Sequence, residues 1–271
     1  SIFEGIRVYW NSKNLYVFRL KDHIKRFRNS GKFYNITLNF SDKQIENAVI
    51  DLCKKNKIKK SCYIRPFYFV GQYGINFHVT QKAPTHTAIF AFPFGDLFNK
   101  SGITATISKW RKFSDMSTPT QAKMGGNYLN SILATQDAKQ RGFDEAILLD
   151  QSGNVSEAPG ENIFLVKNNK LVTPSLSSSA LDGITRRSII TLAKDMKLKI
   201  KTQKVSKKEL KMADEIFLSG TAAEITPVIK IDKKKIGEGK VGNITKLFMD
   251  TYSDIVMNKS ENYSHWLTAV Y

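Results

Sequence analysis

The sequence is short of several things, and each shortage closes off a class of function. Only two cysteines occur, Cys53 and Cys62, and their spacing fits neither a metal knuckle nor a redox pair. They read as two reduced thiols, so a cytoplasmic location and no metal are expected. No uninterrupted apolar run is long enough to cross a bilayer, and no signal peptide is evident. No membrane partner is expected. Acidic residues are scarce too, with 24 Asp and Glu against 42 Lys and Arg and a formal net charge of +18. Such a surplus attracts phosphate-bearing partners at long range. The cations, however, lie in scattered runs such as 54–60, Lys207–Lys208 and 233–235, the pattern of solvated helix faces and turns. No segment interleaves basic and aromatic residues in the manner of a nucleic-acid surface, so nucleic acid is not an expected partner. There is no internal repeat and no low-complexity segment.

At 271 residues, with 41% hydrophobic and 24% charged positions, the chain can bury a substantial core as one large or two modest domains. Residues 7–10 and 15–20 are rich in β-formers and flank the polar turn 11–14, which predicts a hairpin. From Lys21 the apolar spacing becomes helical, with Gly31 as the expected stop. Ser41 is the expected cap of a second helix that repeats Ile45, Val49 and Cys53 on one face. Residues 62–70 and 88–94 read as strands, and the glycine-flanked stretch 96–102 reads as a linker. Beyond it, strand 104–108 leads through a polar loop to Gly125 and Gly126. A helix follows, with Asn127 as its expected cap and Leu129, Ile132 and Leu133 as its packed face. Strands at 145–149, 162–166 and 171–173 read as consecutive hairpins, which predicts mostly antiparallel pairing and argues against a parallel dinucleotide-binding sheet. Ser206 and Glu209 form a capping box.

Chemistry concentrates in a few stretches. Thr120–Tyr128 presents Lys123 beside two glycines, and Val155–Phe164 presents Glu157 between a strand and a glycine. A lysine amine condenses with an aldehyde, and a carboxylate can hold a proton on a pyridine nitrogen, so the pair suits pyridoxal phosphate. The helix opening at Gly183 offers unpaired amides and the Thr185 hydroxyl to a phosphate. The small residues of Ser219–Ala222 expose amides suited to a carboxylate on one side and a phosphate on the other.

Lys123, Asn127, Tyr128, Glu157, Gly160, Asn162, Gly183, Thr185, Gly220 and Thr221, in this order, resemble the branched-chain aminotransferases, pyridoxal-phosphate enzymes of fold type IV. The resemblance covers nearly the whole chain. It implies an α+β protein of two α/β domains, like D-amino acid aminotransferase, with mostly antiparallel strands and the cofactor in the interdomain cleft. The expected division is a small domain at 1–95, the linker 96–102 and a large cofactor-binding domain at 103–271. Lys123 is then the catalytic amine, Glu157 the partner of the pyridine nitrogen and Tyr128 that of the phenolic oxygen. Leu181 packs under the ring. Arg26, three residues after His23, binds phosphate together with the amides of Ile184 and Thr185 and with Thr221. Tyr63 and the backbone of Gly220, Thr221 and Ala222 take the substrate carboxylate, and Arg65 a second, distal one. Phe3, Phe94 and Trp110 are candidates for the apolar side-chain pocket.

The resemblance also implies a homodimer or larger homo-oligomer in which Tyr73, Ile75 and Phe77 reach the neighbouring subunit's site. Asn76 stands where that loop more usually has glycine. Residues before Ser1 are expected as well, including a further strand and a pocket aromatic. The reaction implied is transfer of the amino group of L-leucine, L-isoleucine or L-valine to 2-oxoglutarate. A D-amino acid aminotransferase or an aminodeoxychorismate lyase would use the same lysine and glutamate, but Tyr63–Arg65 and Gly220–Ile225 favour the branched-chain enzymes. An inactive, shortened relative is the remaining alternative.

Overall fold

The computed structural model describes every residue of the chain except Asn76 and Gln81, so the expectation for Asn76 lies outside the described residues. In chain order the first elements are β1 (Ile2–Phe3), β2 (Ile6–Trp10), β3 (Leu15–Phe18), α1 (Leu20–Lys32), α2 (Asp42–Lys55), β4 (Cys62–Val70) and β5 (Thr85–Pro93). There follow β6 (Ile103–Arg111), α3 (Tyr128–Gln140), β7 (Glu145–Leu149), β8 (Asn162–Lys167), β9 (Lys170–Pro174), α4 (Ile184–Asp195) and β10 (Ile200–Gln203). The last are α5 (Lys207–Lys211), β11 (Glu215–Gly220), β12 (Glu224–Ile231), β13 (Lys234–Lys235), α6 (Asn243–Val256) and β14 (Leu267–Ala269). They form two compact units.

The first unit comprises Ser1–Gly95, Ala122–Gly126 and Ser253–Tyr271. Its sheet runs β1-β4-β2-β3-β14, with β5 on the other edge of β4. The hairpin of β2 and β3 forms as expected, because Asn11 accepts from the amides of Lys13 and Asn14 and closes the turn with its own side chain. α1 buries Leu20, His23, Ile24, Phe27 and Ser30, a helical stripe that covers the sheet. Ser41 and Gln44 make the reciprocal capping box of α2. β14 brings the C-terminus home beside β3, where Trp266 is stacked under Arg19. Two tail residues, Trp266 and Val270, are thereby buried.

The second unit, Asp96–Gln121 with Asn127–Tyr252, carries the sheet β10-β9-β8-β11-β12-β6-β7, with β13 on β12. Most described pairings in the two sheets are antiparallel, while β6–β7, β6–β12 and β9–β10 run parallel. Ile147, Leu149, Ile163, Leu165, Ile216 and Leu218 form the centre of its core.

Four local expectations are corrected. Strands 145–149 and 162–166 are not a hairpin: β7 lies parallel to β6, since α3 supplies the crossover that a parallel pair needs, and β8 pairs instead with β9 and β11. On α3 the packed face is not Leu129, Ile132 and Leu133, which are exposed, but Asn130, Ser131, Ala134, Asp137 and Ala138. Small side chains let the helix lie close, with Ala134 and Ala138 against Ala146 and Leu148. Asn127 makes no side-chain cap bond; it accepts instead from the Thr118 hydroxyl and donates to the Pro119 carbonyl. Finally, α1 does not stop at Gly31 but runs on to Lys32, and the Gly31 carbonyl then takes the amides of Tyr34 and Ile36 to close the end.

Candidate active site

The candidate residues gather into two groups, one in each unit. In the first unit the segment Ala122–Gly126 is tied to the N-terminus by backbone bonds from Phe3 N to Lys123 O (3.1 Å) and from Gly125 N to Ser1 O (2.8 Å). The Lys123 amide donates to Ser30 Oγ of α1 at 2.9 Å. These bonds fix the lysine backbone on both sides, so its side chain starts from a defined point. Lys123 Nζ lies 4.7 Å from the centre of the Phe3 ring, and the Arg65 guanidinium lies 4.7 Å from the same ring.

Beneath them Glu4 is fully buried and acts as a hub. Its Oε1 accepts from Arg26 Nε at 2.6 Å and its Oε2 from Arg26 Nη2 at 2.9 Å, a two-point guanidinium–carboxylate pair. Oε2 also accepts from His23 Nδ1 at 2.7 Å. Burial pushes the Glu4 carboxyl up, but Arg26 and His23 outweigh it and hold the group far below the usual carboxylate range. In His23 burial wins instead: it lowers the pKa more than Glu4 raises it. The Lys123 amine is brought down to about 8, chiefly by burial and then by the Arg26 charge, with Glu4 and Tyr63 opposing.

Tyr63 is buried, its hydroxyl accepting from Arg65 Nη2 at 3.3 Å. A Cβ on Gly5 would stand 1.7 Å from the Tyr63 hydroxyl, so only glycine lets that phenol pass. Arg65 Nε is buried without a hydrogen-bond partner among the described residues. Phe94 packs against Tyr63 and under Arg7. Ile75 and Phe77 are fully exposed, and Tyr73 bonds Thr80.

In the second unit Glu157 is the hub. Its Oε2 accepts from Asn162 Nδ2 at 3.1 Å and from the Leu181 amide at 2.9 Å, while Oε1 faces Lys112 Nζ at 2.6 Å. Asn162 donates onward to the Leu181 carbonyl at 2.8 Å, so carboxylate, amide and leucine backbone are one assembly. A Cβ on Gly183 would meet Asn162 Oδ1 at 2.0 Å, which makes glycine a condition of that assembly. Gly183 also precedes α4 without a side-chain cap, leaving the first amides, with buried Ile184 and Thr185, free of i−4 acceptors. Tyr128 opens α3. Gly220 ends β11, with Thr221 and Ala222 in the turn to β12. Trp110 is part-exposed beside Lys109 in this unit, whereas Phe3 and Phe94 belong to the other.

Two residues escaped the sequence reading, Glu4 and Lys112. Glu4 is adjacent to the candidate Phe3, but a lone glutamate carries no sign that it will be buried. Lys112 is hidden among Lys109 and Arg111, in a chain where basic residues read as surface.

The donor set fits pyridoxal phosphate: a partly buried amine with a depressed pKa, a buried carboxylate with an anchored oxygen, and an uncapped helix start. Among the described residues no group of His, Cys, Asp and Glu is arranged to hold a metal ion, and no helix is long and apolar enough to cross a membrane.

Comparison with known proteins agrees with this chemistry. Residues 1–231 match the family described as amino-transferase class IV. A probable branched-chain-amino-acid aminotransferase of Aquifex aeolicus is 40% identical over 275 residues, covering 100% of this chain and 88% of the relative. The solved branched-chain aminotransferase of Thermoproteus uzoniensis, crystallised with norvaline, superposes with a TM-score of 0.96 at 41% identity, over 100% of this chain and 90% of that one. The enzyme of Thermobaculum terrenum in its pyridoxal-phosphate form gives a TM-score of 0.94 at 35% identity, over 100% and 89%. With fold, motif order and relatives in accord, the chain belongs to the class IV aminotransferases of fold type IV.

Proposed function

We propose that the protein is a branched-chain amino acid aminotransferase that moves the amino group of L-leucine, L-isoleucine or L-valine to 2-oxoglutarate. The observation that carries this reading is the Lys123 amine, part-buried between Phe3 and the Arg26–Glu4 pair with its pKa brought down to about 8. Pyridoxal phosphate supplies, when bound, an aldehyde for that amine and a pyridine ring able to take up the electrons of a broken Cα–H bond. Lys123 Nζ, with a pKa close to neutrality, takes and returns the substrate proton; positioned acid–base transfer contributes about 10²–10⁴-fold.

Glu157 would hold the proton of the ring nitrogen, Tyr128 would bond the phenolic oxygen and Leu181 would pack against the ring. Arg26, paired with Glu4, would bind the phosphate, as would the start of α4 at Ile184 and Thr185 and the Thr221 side chain. Tyr63 and the amides of Thr221 and Ala222 would hold the substrate carboxylate, with Gly220 as a further substrate contact. Phe3 and Phe94, and Trp110 of the second unit, are the aromatic candidates for an apolar side-chain pocket. An apolar pocket separates side chains one methylene apart by only about 1–3 kcal/mol, so all three branched substrates react. The buried, unpartnered Nε of Arg65 supports its assignment to the distal carboxylate of glutamate and 2-oxoglutarate.

The enzyme is further read as a cytoplasmic homodimer. Its two free thiols suit a reducing compartment. Exposed Phe69, Phe90 and Phe92 on β4 and β5, with Ile75 and Phe77 on the loop between those strands, offer the apolar surface a second copy needs. In that dimer Tyr73, Ile75 and Phe77 serve the partner's site.

The test is the visible spectrum of the protein with pyridoxal phosphate before and after L-leucine. Conversion of the cofactor band by L-leucine and not by D-alanine is expected. A band that D-alanine converts and L-leucine leaves unchanged would overturn the substrate and its stereochemistry, and no band at all would overturn the assignment of Lys123.

A further inference from the structure

The buried ion pair of Lys112 and Glu157 is the least expected feature of the second unit. Lys112 follows β6 directly, its backbone pinned by the bond from its amide to Leu149 O (2.8 Å) and by Gln151 Nε2 donating to its carbonyl (2.7 Å). The side chain turns inward until Nζ stands 2.6 Å from Glu157 Oε1, both side chains nearly excluded from solvent. Burial works against this ammonium, but the Glu157 charge and hydrogen bond outweigh it and raise the lysine pKa, with Tyr128 acting in the same direction.

Pairs of this kind are weak devices for stability, because desolvation cancels most of the attraction; what they give reliably is geometry. The geometry here is specific. Oε2 of Glu157 is held by Asn162 and by the Leu181 amide, and Lys112 takes one lone pair of Oε1. Two oxygens held from different directions cannot rotate about the carboxylate axis, and Oε1 keeps one lone pair for a further donor. Arg186 of α4 adds a second positive charge that acts on the same carboxylate. A fixed carboxylate with one open lone pair is what a ring N–H needs, since the value of a charge-assisted bond depends on its direction.

We infer that Lys112 is a positioning residue for the cofactor: it aims Glu157 at the pyridine nitrogen. This rests on the reading of Glu157 as the partner of that nitrogen. In this role Lys112 makes no contact with substrate and moves no proton. Its effect passes through Glu157 alone, which predicts that its loss removes discrimination between a ring that carries an N–H and one that does not.

The experiment measures the affinity of the full chain, freed of cofactor, for pyridoxal phosphate and for its 1-deaza analogue, whose ring has carbon in place of the nitrogen. The ratio of the two affinities reports the ring-nitrogen bond, and a lysine that merely stabilises the fold leaves that ratio unchanged. In Lys112→Met the ratio is expected to fall about tenfold or more, the weight of one charge-assisted hydrogen bond, to the level of Glu157→Gln. In Lys112→Arg it is expected to stay close to wild type, because the cation and its donors are retained. Should Lys112→Met fail to fold, Lys112→Gln, with a neutral donor, answers the same question with the same expected fall. A wild-type ratio in Lys112→Met or Lys112→Gln would overturn the inference. If the unsubstituted protein itself failed to separate the two compounds, the assignment of Glu157 would fail instead, so the two failures are distinguishable.

Discussion

The two groups of candidate residues handle charge in opposite ways. In the first unit Lys123 and Arg26 share a single buried acid, Glu4, with His23 beside it; burial outweighs that acid, drawing the lysine toward its neutral form and His23 away from its protonated one. In the second unit Glu157 meets Lys112 and two neutral donors, and the pairing favours the charged lysine. The contrast follows the chemistry. A group that must give up and take back a proton is useful only near its titration point, whereas one that must hold a fixed charge is useful only when satisfied. The same protein thus keeps one amine frustrated and one content.

The contrast is broken most violently at the lysines. Lys123→Ala is expected to slow amino-group transfer from L-leucine by at least about 10²–10⁴-fold and to abolish the cofactor's visible band. Glu157→Gln should leave the band and slow the reaction less, since the proton carrier survives. Single-turnover kinetics with L-leucine decide it, and an E157Q protein as inactive as K123A would remove the distinction drawn above.

Next in size is Glu4→Gln. It strands Arg26 in the interior without its counter-charge, and breaking a buried pair from one side costs about 3–5 kcal/mol, to be read from urea unfolding. It also removes the acid that opposes the fall of the Lys123 pKa. The acid limb of the rate profile should therefore move to lower pH. A limb that moved upward would show that Glu4 acts on Lys123 by something other than its charge.

The comparison is sharpened, at about 1–3 kcal/mol each, by adding a methyl group to either hub. Gly5→Ala drives into the Tyr63 hydroxyl and Gly183→Ala into Asn162 Oδ1. The first is expected to raise KM for the amino acid while sparing cofactor affinity. The second is expected to weaken the cofactor, because Asn162 carries Glu157 and Leu181. Isothermal titration with cofactor and steady-state KM for L-leucine separate the two, and identical phenotypes would refute the division of labour.

Much of this was legible in the sequence for reasons that are local. Ser41 and Ser206 announce helix starts because a capping box is closed within four residues, and β2–β3 because Asn11 satisfies its own turn. Lys123 and Glu157 would by themselves have read as surface residues, and only the order of the special positions around them, from Asn127 to Thr221, singled them out. What was not legible depends on partners far away. The face that α3 buries is chosen by β7, where only small side chains fit, against an apolar spacing that pointed elsewhere. β7 itself was misjudged because a tight turn after it looked like a hairpin, while its pairing partner lies on the far side of a helix. Glu4 and Lys112 carry charges that composition assigns to the surface, and only Arg26 and Glu157, distant in the chain, bring them inside.

The smallest expected effect is a difference in how the two hubs respond to pH. The native pKa of His23 lies below its usual value of 6.5, so below that pH the unfolded chain binds a proton that the native state does not, and stability falls as pH drops. Glu4 has a depressed pKa; its contribution is present above the unfolded value of 4.5 and is lost as pH falls further toward its native one. The first unit thus weakens in two acid steps. Lys123 acts in the same sense at alkaline pH, adding stability as pH rises from about 8 to 10.5. In the second unit Lys112 has a raised pKa, so its contribution is present below 10.5 and is lost as pH climbs through the native value. Urea midpoints between pH 5 and 7 for His23→Gln should therefore show a flatter acid slope than wild type, and Lys112→Met a flatter alkaline one above pH 10. If His23→Gln flattened the alkaline side instead, the charges of the two hubs would not be separable in the way their hydrogen bonds are.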